Sequence, residues 1–225
     1  MIQWELLETA AVRDTGVELC LYRRGAEFSI RLEGRELMNS RVHGSEEALG
    51  ELACERIADR PAARVLVGGL GMGFTLAAAL SKLGLDAEVV VSELVPEVVS
   101  WSRGVLGELA KHPLRDPRVT VRAIDVAELL KRERSRYDAI LLDVDNGPEA
   151  LPQSGNSWLY GRAGLAAALA ALRAEGLLAV WSAGPDAAFS ERLRAVGFAV
   201  EEVEVRARGY TRGARHTIWI ARRIS

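Results

Sequence analysis

Residues 65–76 read Val65-Leu-Val-Gly-Gly-Leu-Gly-Met-Gly-Phe-Thr-Leu76, and no other stretch of this chain constrains its fold as much. Apolar residues run into a glycine-dense turn, and an alanine-rich helical pattern follows. Such a segment passes from a buried strand through a tight loop into a helix start. Gly69, Gly71 and Gly73 let the backbone turn sharply and let a ligand approach without meeting a Cβ. The N–H groups at a helix start favour an anionic ligand group.

The rest of the chain extends this pattern. Strands are expected at 64–68, 87–92, 118–124, 137–142 and 176–182. Helices are expected at 73–83, 96–111, 126–134, 159–174 and 186–196. Alternation at this spacing implies a parallel sheet covered on both faces. Two final strands, at 198–206 and 215–221, are joined only by a loop and must be antiparallel neighbours. Residues 1–43 read differently. Short strand-like runs at 17–22, 27–32 and 36–38, punctuated by Arg24-Gly25 and Glu33-Gly34, predict a small antiparallel N-terminal sheet. Residues 44–225 are expected to form the α/β domain. Its first helix should run from Ser45, as N-cap, to about residue 58.

Bulk properties exclude several classes. The net charge is −2, which gives no reason to expect nucleic acid or an anionic membrane as a partner. The apolar run from 165 to 181 is interrupted by Arg173, Glu175 and Gly176, so it reads as helix then strand, not as a membrane span. Cys20 and Cys54 show no metal-ligand spacing, and His43, His112 and His216 form no ligand set, so no metal is implied. A reduced cytoplasmic protein is expected, with no signal peptide at its N-terminus.

Carboxylates stand where the strands should end, and ligands of open α/β sheets bind there. Glu93 closes the strand 87–92 and can accept hydrogen bonds from a ribose diol; a solvated residue capping the next helix is the alternative. Asp125 can accept from an adenine amino group or serve as an N-cap. Asp143 is followed by Val144-Asp145-Asn146-Gly147-Pro148, a polar cluster able to orient or deprotonate an amine, or simply a turn. A dinucleotide fingerprint would need glycine at 74, where this chain has Phe74. The pattern points instead to an adenosyl sulfonium cofactor, S-adenosylmethionine or a close relative. Most of the tryptophans, Trp181 among them, read as core. Trp158 follows a polar loop and can stack on a substrate or be buried.

These residues resemble the class I S-adenosylmethionine-dependent methyltransferases, and more specifically the spermidine synthases (polyamine aminopropyltransferases), over nearly the whole chain. The resemblance implies a Rossmann-like fold, mostly parallel and ending in an antiparallel hairpin. It implies cofactor contacts from Gly69, Gly71, Met72, Gly73, Glu93, Leu94, Asp125, Val126 and Asp143. It gives catalytic positions to Asp143, with Asp145 or Asn146, and an acceptor contact to Tyr160; beside it, Glu46 stays among the carboxylates open to an amine acceptor and Trp158 among the residues able to stack on one. A homodimer is also implied. The departures are informative. The family's glycine loop carries an Asp where this chain has Met72. Its second Asp beyond the catalytic one is here Asn146. Its Tyr-His-Glu motif is replaced by Arg41-Val-His-Gly-Ser-Glu-Glu47. Polyamine recognition needs paired carboxylates, and two are gone. The expectation is therefore an S-adenosylmethionine-dependent methyltransferase acting on a small-molecule acceptor, with amines included. Aminopropyl transfer from decarboxylated S-adenosylmethionine is the alternative, and a non-catalytic binding module is a further one.

Overall fold

The computed structural model describes residues 2–12, 16–144, 157–208 and 212–224. Strands β1 (Glu5–Ala11), β2 (Glu18–Arg24), β3 (Glu27–Leu32) and β4 (Arg35–Asn39) form an antiparallel sheet in the order β1-β2-β3-β4. The sequence pattern missed β1. It is an edge strand in which only Ala10 is fully buried, so it shows no apolar alternation. The β3–β4 turn is two residues long, with Glu33 and Gly34 both at positive φ, the form that matches strand twist.

The first helix, α1, spans Gly44–Glu55. Its N-cap position is His43, which makes no side-chain capping bond, so Ser45 is not the cap. Ser45 lies in the first turn, buried, with its hydroxyl turned to other partners.

Seven strands build the main sheet: β5 (Arg64–Gly68), β6 (Glu88–Ser92), β7 (Val119–Arg122), β8 (Tyr137–Leu142), β9 (Leu172–Ser182), β10 (Phe198–Arg208) and β11 (Arg212–Arg223). Their order is β10-β11-β9-β8-β5-β6-β7, parallel from β9 to β7 and antiparallel through β11 and β10. The helices are α2 (Phe74–Lys82), α3 (Pro96–Arg103), α4 (Val126–Arg132), α5 (Ser157–Tyr160), α6 (Arg162–Ala171) and α7 (Ala187–Val196). The helix expected over 96–111 stops at Arg103, because Gly104 leaves the helical region, and two 3₁₀ turns continue the chain.

Alternate residues of one strand serve two cores. Val65 and Val67 of β5 pack on one face, Leu66 on the other; Ala139 and Leu141 of β8 oppose Ile140 and Leu142 in the same way. Burial on both faces explains why these strands read as unbroken apolar runs. From β5 the chain moves to β6 and β7 on one side, then returns to β8 and β9 on the other. That reversal opens a crevice at the carboxyl ends of β5 and β8. Among the described residues no helix is long and apolar enough to cross a membrane.

Candidate active site

A cavity of about 470 Å³ lies at this crevice. Its floor is the glycine loop and the ends of β6, β7 and β8; its roof is the inner face of the N-terminal sheet. Gly69, Gly71, Met72, Gly73, Glu46, Glu93, Leu94, Asp125, Val126 and Asp143 all line it. The fold thus brings most of the sequence-selected residues to one place.

The loop itself works differently from expectation. Gly69, Gly71 and Gly73 have φ of 87°, 51° and 87°, a region that strains other residues. A Cβ at Gly69 would collide with the Asp143 carbonyl oxygen, and one at Gly71 would stand 2.8 Å from Met38 Sδ. The glycines therefore make room for neighbouring protein. The loop N–H groups are also taken. Leu70 N–H donates to Glu93 Oε2 and Val95 N–H to Glu93 Oε1, each at 2.9 Å, and Gly71 and Leu94 N–H groups also face the carboxylate. The anion this loop holds is Glu93. Burial raises the Glu93 pKa, and the four N–H groups oppose that shift.

Asp125 is the N-cap that the sequence suggested and also faces the cavity. Its Oδ1 accepts from Ala127 N–H at 2.8 Å as the N-cap of α4, while its carboxylate lines the cavity. Asp143, directly after β8, is half-buried. Thr75 Oγ donates to its Oδ2 at 2.6 Å. Glu46, from the first turn of α1, accepts from Ser45 Oγ at 2.7 Å. Burial and the Asp143 charge push Glu46 up to about 7, and burial raises Asp143 against the Thr75 hydrogen bond. Like-charged neighbours do not both ionise readily, so the pair holds one proton near neutrality. Thr75 stabilises the charge on Asp143, which leaves the proton on Glu46.

This arrangement fixes a pH dependence. The folded protein retains a Glu46 proton that the unfolded chain releases near its ordinary value of 4.5. Stability therefore falls as pH rises from 4.5 to 7 and is level above, by on the order of 3 kcal/mol. Glu46→Gln is expected to remove this loss. The variant should exceed the wild type in urea stability at pH 8 and match it near pH 4. Parallel pH profiles for the two proteins would contradict the shared proton.

Other expected residues stand apart from the cavity. Tyr160 OH donates to Val144 O at 2.8 Å and meets Phe189 edge-on, so it holds the chain just beyond Asp143 without lining the cavity. Trp158 carries Lys131 Nζ 4.8 Å above its ring and is outside the cavity lining. Asp145 and Asn146 lie outside the described residues.

Trp181 was read as core but lines the cavity from the end of β9. Its indole N–H has no hydrogen-bond partner among the described residues, and its ring meets His216 edge-on at 4.9 Å. His216 Nδ1 lies 2.8 Å from Ser45 Oγ. Because Ser45 gives its only proton to Glu46, His216 donates from Nδ1. Burial lowers the His216 pKa, consistent with a neutral ring. The strand-end rule that selected Glu93 and Asp143 would have found Trp181 too, had it been applied to aromatic residues. Among the described residues no cluster of three or more His, Cys, Asp or Glu could hold a metal.

Fold and cavity together define a Rossmann-like α/β protein with an acidic crevice beneath a small β-sheet roof. The architecture is that of the spermidine synthases. The chain is similar to the spermidine synthase of Thermotoga maritima, with 17% identity and a TM-score of 0.73 over 96% of this chain and 72% of that one. A spermidine synthase in complex with the transition-state analogue AdoDATO gives 17% identity and a TM-score of 0.75 over the same shares. A probable spermidine synthase from Corynebacterium glutamicum gives 14% identity and a TM-score of 0.62, over 97% of this chain and 79% of that one. At such identities the likeness establishes the fold. No family model matches the sequence, and no curated protein matches it either.

Proposed function

We propose that this chain is an S-adenosylmethionine-dependent transferase that methylates an amine. The observation that carries the reading is the convergence of Glu93, Asp125 and Asp143 on one cavity beside the glycine loop. The AdoDATO complex of a protein with this fold supports an adenosyl ligand here.

The residues present fit such a ligand. Asp125 Oδ2 has no protein partner among the described residues and can accept from an adenine amino group. Glu93 is held rigidly by the Leu70 and Val95 N–H groups, one to each oxygen, and lines the cavity where a ribose hydroxyl can also donate to it. Asp143, half-buried in the cavity lining, can present a negative charge to a cationic centre. When bound, S-adenosylmethionine supplies a carbon attached to a sulfonium sulfur and open to a nitrogen lone pair. Asp143 takes the proton that an acceptor ammonium must lose before its nitrogen can attack. Thr75 fixes Oδ2 of that carboxylate, leaving Oδ1 for the amine. Positioning of this kind can supply roughly 7–11 kcal/mol of the barrier.

Met72 favours the ordinary cofactor over the decarboxylated one. It is buried in the cavity wall where the spermidine synthase pattern has an Asp. A carboxylate there would repel the carboxylate of S-adenosylmethionine and attract the ammonium of the decarboxylated form. Calorimetry with the two compounds is expected to show tighter binding of S-adenosylmethionine. Clearly tighter binding of the decarboxylated compound would favour aminopropyl transfer instead.

A further inference from the structure

We propose that the acceptor is a primary monoamine on an apolar body, bound with its nitrogen at Glu46 and Asp143 and its body against the inner face of the N-terminal sheet. This rests on the transferase reading and specifies the substrate class for the same site.

The argument begins with charge. Four carboxylates line the cavity among the described residues: Glu46, Glu93, Asp125 and Asp143. Glu93 is engaged by backbone N–H groups at the end of β6, and Asp125 caps α4 beyond β7. Glu46 and Asp143 remain for the acceptor. Thr75 Oγ1 lies 2.6 Å from Asp143 Oδ2 and 3.1 Å from the Glu46 carbonyl oxygen, so the two acidic residues meet at one side chain of one cavity, where mutual repulsion disfavours charging both. One ammonium balances a single such charge; a second finds no equivalent among the described residues.

The opposite wall confirms the asymmetry. Leu19, Ile30, Leu32, Leu37 and Met38 of the N-terminal sheet line the cavity, and Asn39 is the polar exception. Asn39 already donates its amide to Glu36. The acidic residues of β3 and β4 are occupied and outside the lining. Glu27 is paired with Arg24 and Arg41, and Glu36 accepts from Ser29 and Asn39. Trp181 adds an aromatic surface beside the carboxyl pair. A diamine reaching from Glu46 and Asp143 toward this roof would set its second ammonium against aliphatic carbon and lose its hydration uncompensated. An alkyl or aryl body gains from the same surface.

Competition between two probes of equal length tests this. The full chain, saturated with 5′-methylthioadenosine, is titrated with n-hexylamine and with 1,6-diaminohexane. Hexylamine is expected to bind at least about tenfold tighter. Leu37→Glu places a carboxylate on the roof at a position already 39% exposed, so folding should tolerate it, and it should reverse the preference. Equal or tighter binding of the diamine to the wild type would overturn the proposal. So would failure of either amine to bind while the nucleoside binds, an outcome that leaves the transferase reading standing. Failure of the nucleoside to bind would count against the transferase reading instead. The same two titrations on nucleoside-free protein then decide the amine preference.

Discussion

Glu93→Ala is expected to weaken binding of 5′-methylthioadenosine by about 100-fold and to lower unfolding stability by about 3 kcal/mol. Both losses come from the same carboxylate. Its two oxygens accept from Leu70 and Val95 N–H at 2.9 Å, and Gly71 and Leu94 N–H groups also face it. Removing it leaves buried donors unsatisfied, at about 1–3 kcal/mol for each donor that water does not reach. The glycine loop loses its tie to the end of β6, and a ribose diol loses a charged acceptor worth about 1.5–3 kcal/mol. Calorimetry and urea unfolding measure the two effects separately. Unchanged nucleoside affinity in a folded Glu93→Ala protein would remove the nucleoside site from this cavity.

Asp138→Ala is expected to cost about 4 kcal/mol of stability and to leave ligand affinity unchanged. Asp138 is the second residue of β8, with a side chain only 5% exposed. It accepts from Arg60 Nη1 at 2.9 Å, Arg64 N–H at 2.8 Å and Arg173 Nη1 at 2.8 Å. The carboxylate thus joins the segment before β5, the start of β5 and the start of β9. Its removal strands partly buried guanidinium groups and a backbone donor. A domain of this size has about 5–15 kcal/mol in total, so the variant should melt far earlier. A loss below about 1 kcal/mol would mean that the arginines turn to water at no cost. Asp138 and Asp143 sit at opposite ends of one strand. Glu93 follows the carboxyl end of β6 and Asp138 lies at the amino end of β8, so of the Glu93→Ala and Asp138→Ala variants only the first is expected to lose ligand affinity.

Much of this organisation is legible in the order of residues. The apolar runs of β5 and β8 announce buried parallel strands, because a strand covered on both faces needs apolar side chains at every position. Glu93, Asp125 and Asp143 follow apolar runs, and strand direction alone carries them to one edge of the sheet. Glu46 is legible only as one of several carboxylates open to an amine; its pairing with Asp143 is not, because ninety-seven positions (143 − 46) separate them and only the packing of α1 against the sheet joins them. Strand β1 was invisible because an exposed edge strand lacks a periodic apolar signature. Trp181 passed as core because a strand-end aromatic is indistinguishable from a buried one until the neighbouring roof is in place.

The glycine loop draws the line between the two sources. The sequence by itself determined a tight turn between strand and helix, since three glycines in five residues permit positive φ, and it determined that acidic groups gather nearby. Only the tertiary structure decided what fills that turn. Met38 and the Asp143 carbonyl occupy the space beside the glycines, and Glu93 takes the Leu70 and Gly71 N–H groups. The physical reason is that backbone conformation is a local property of residue type, whereas the partner of a buried donor is whichever group the packing of distant segments brings within hydrogen-bond reach.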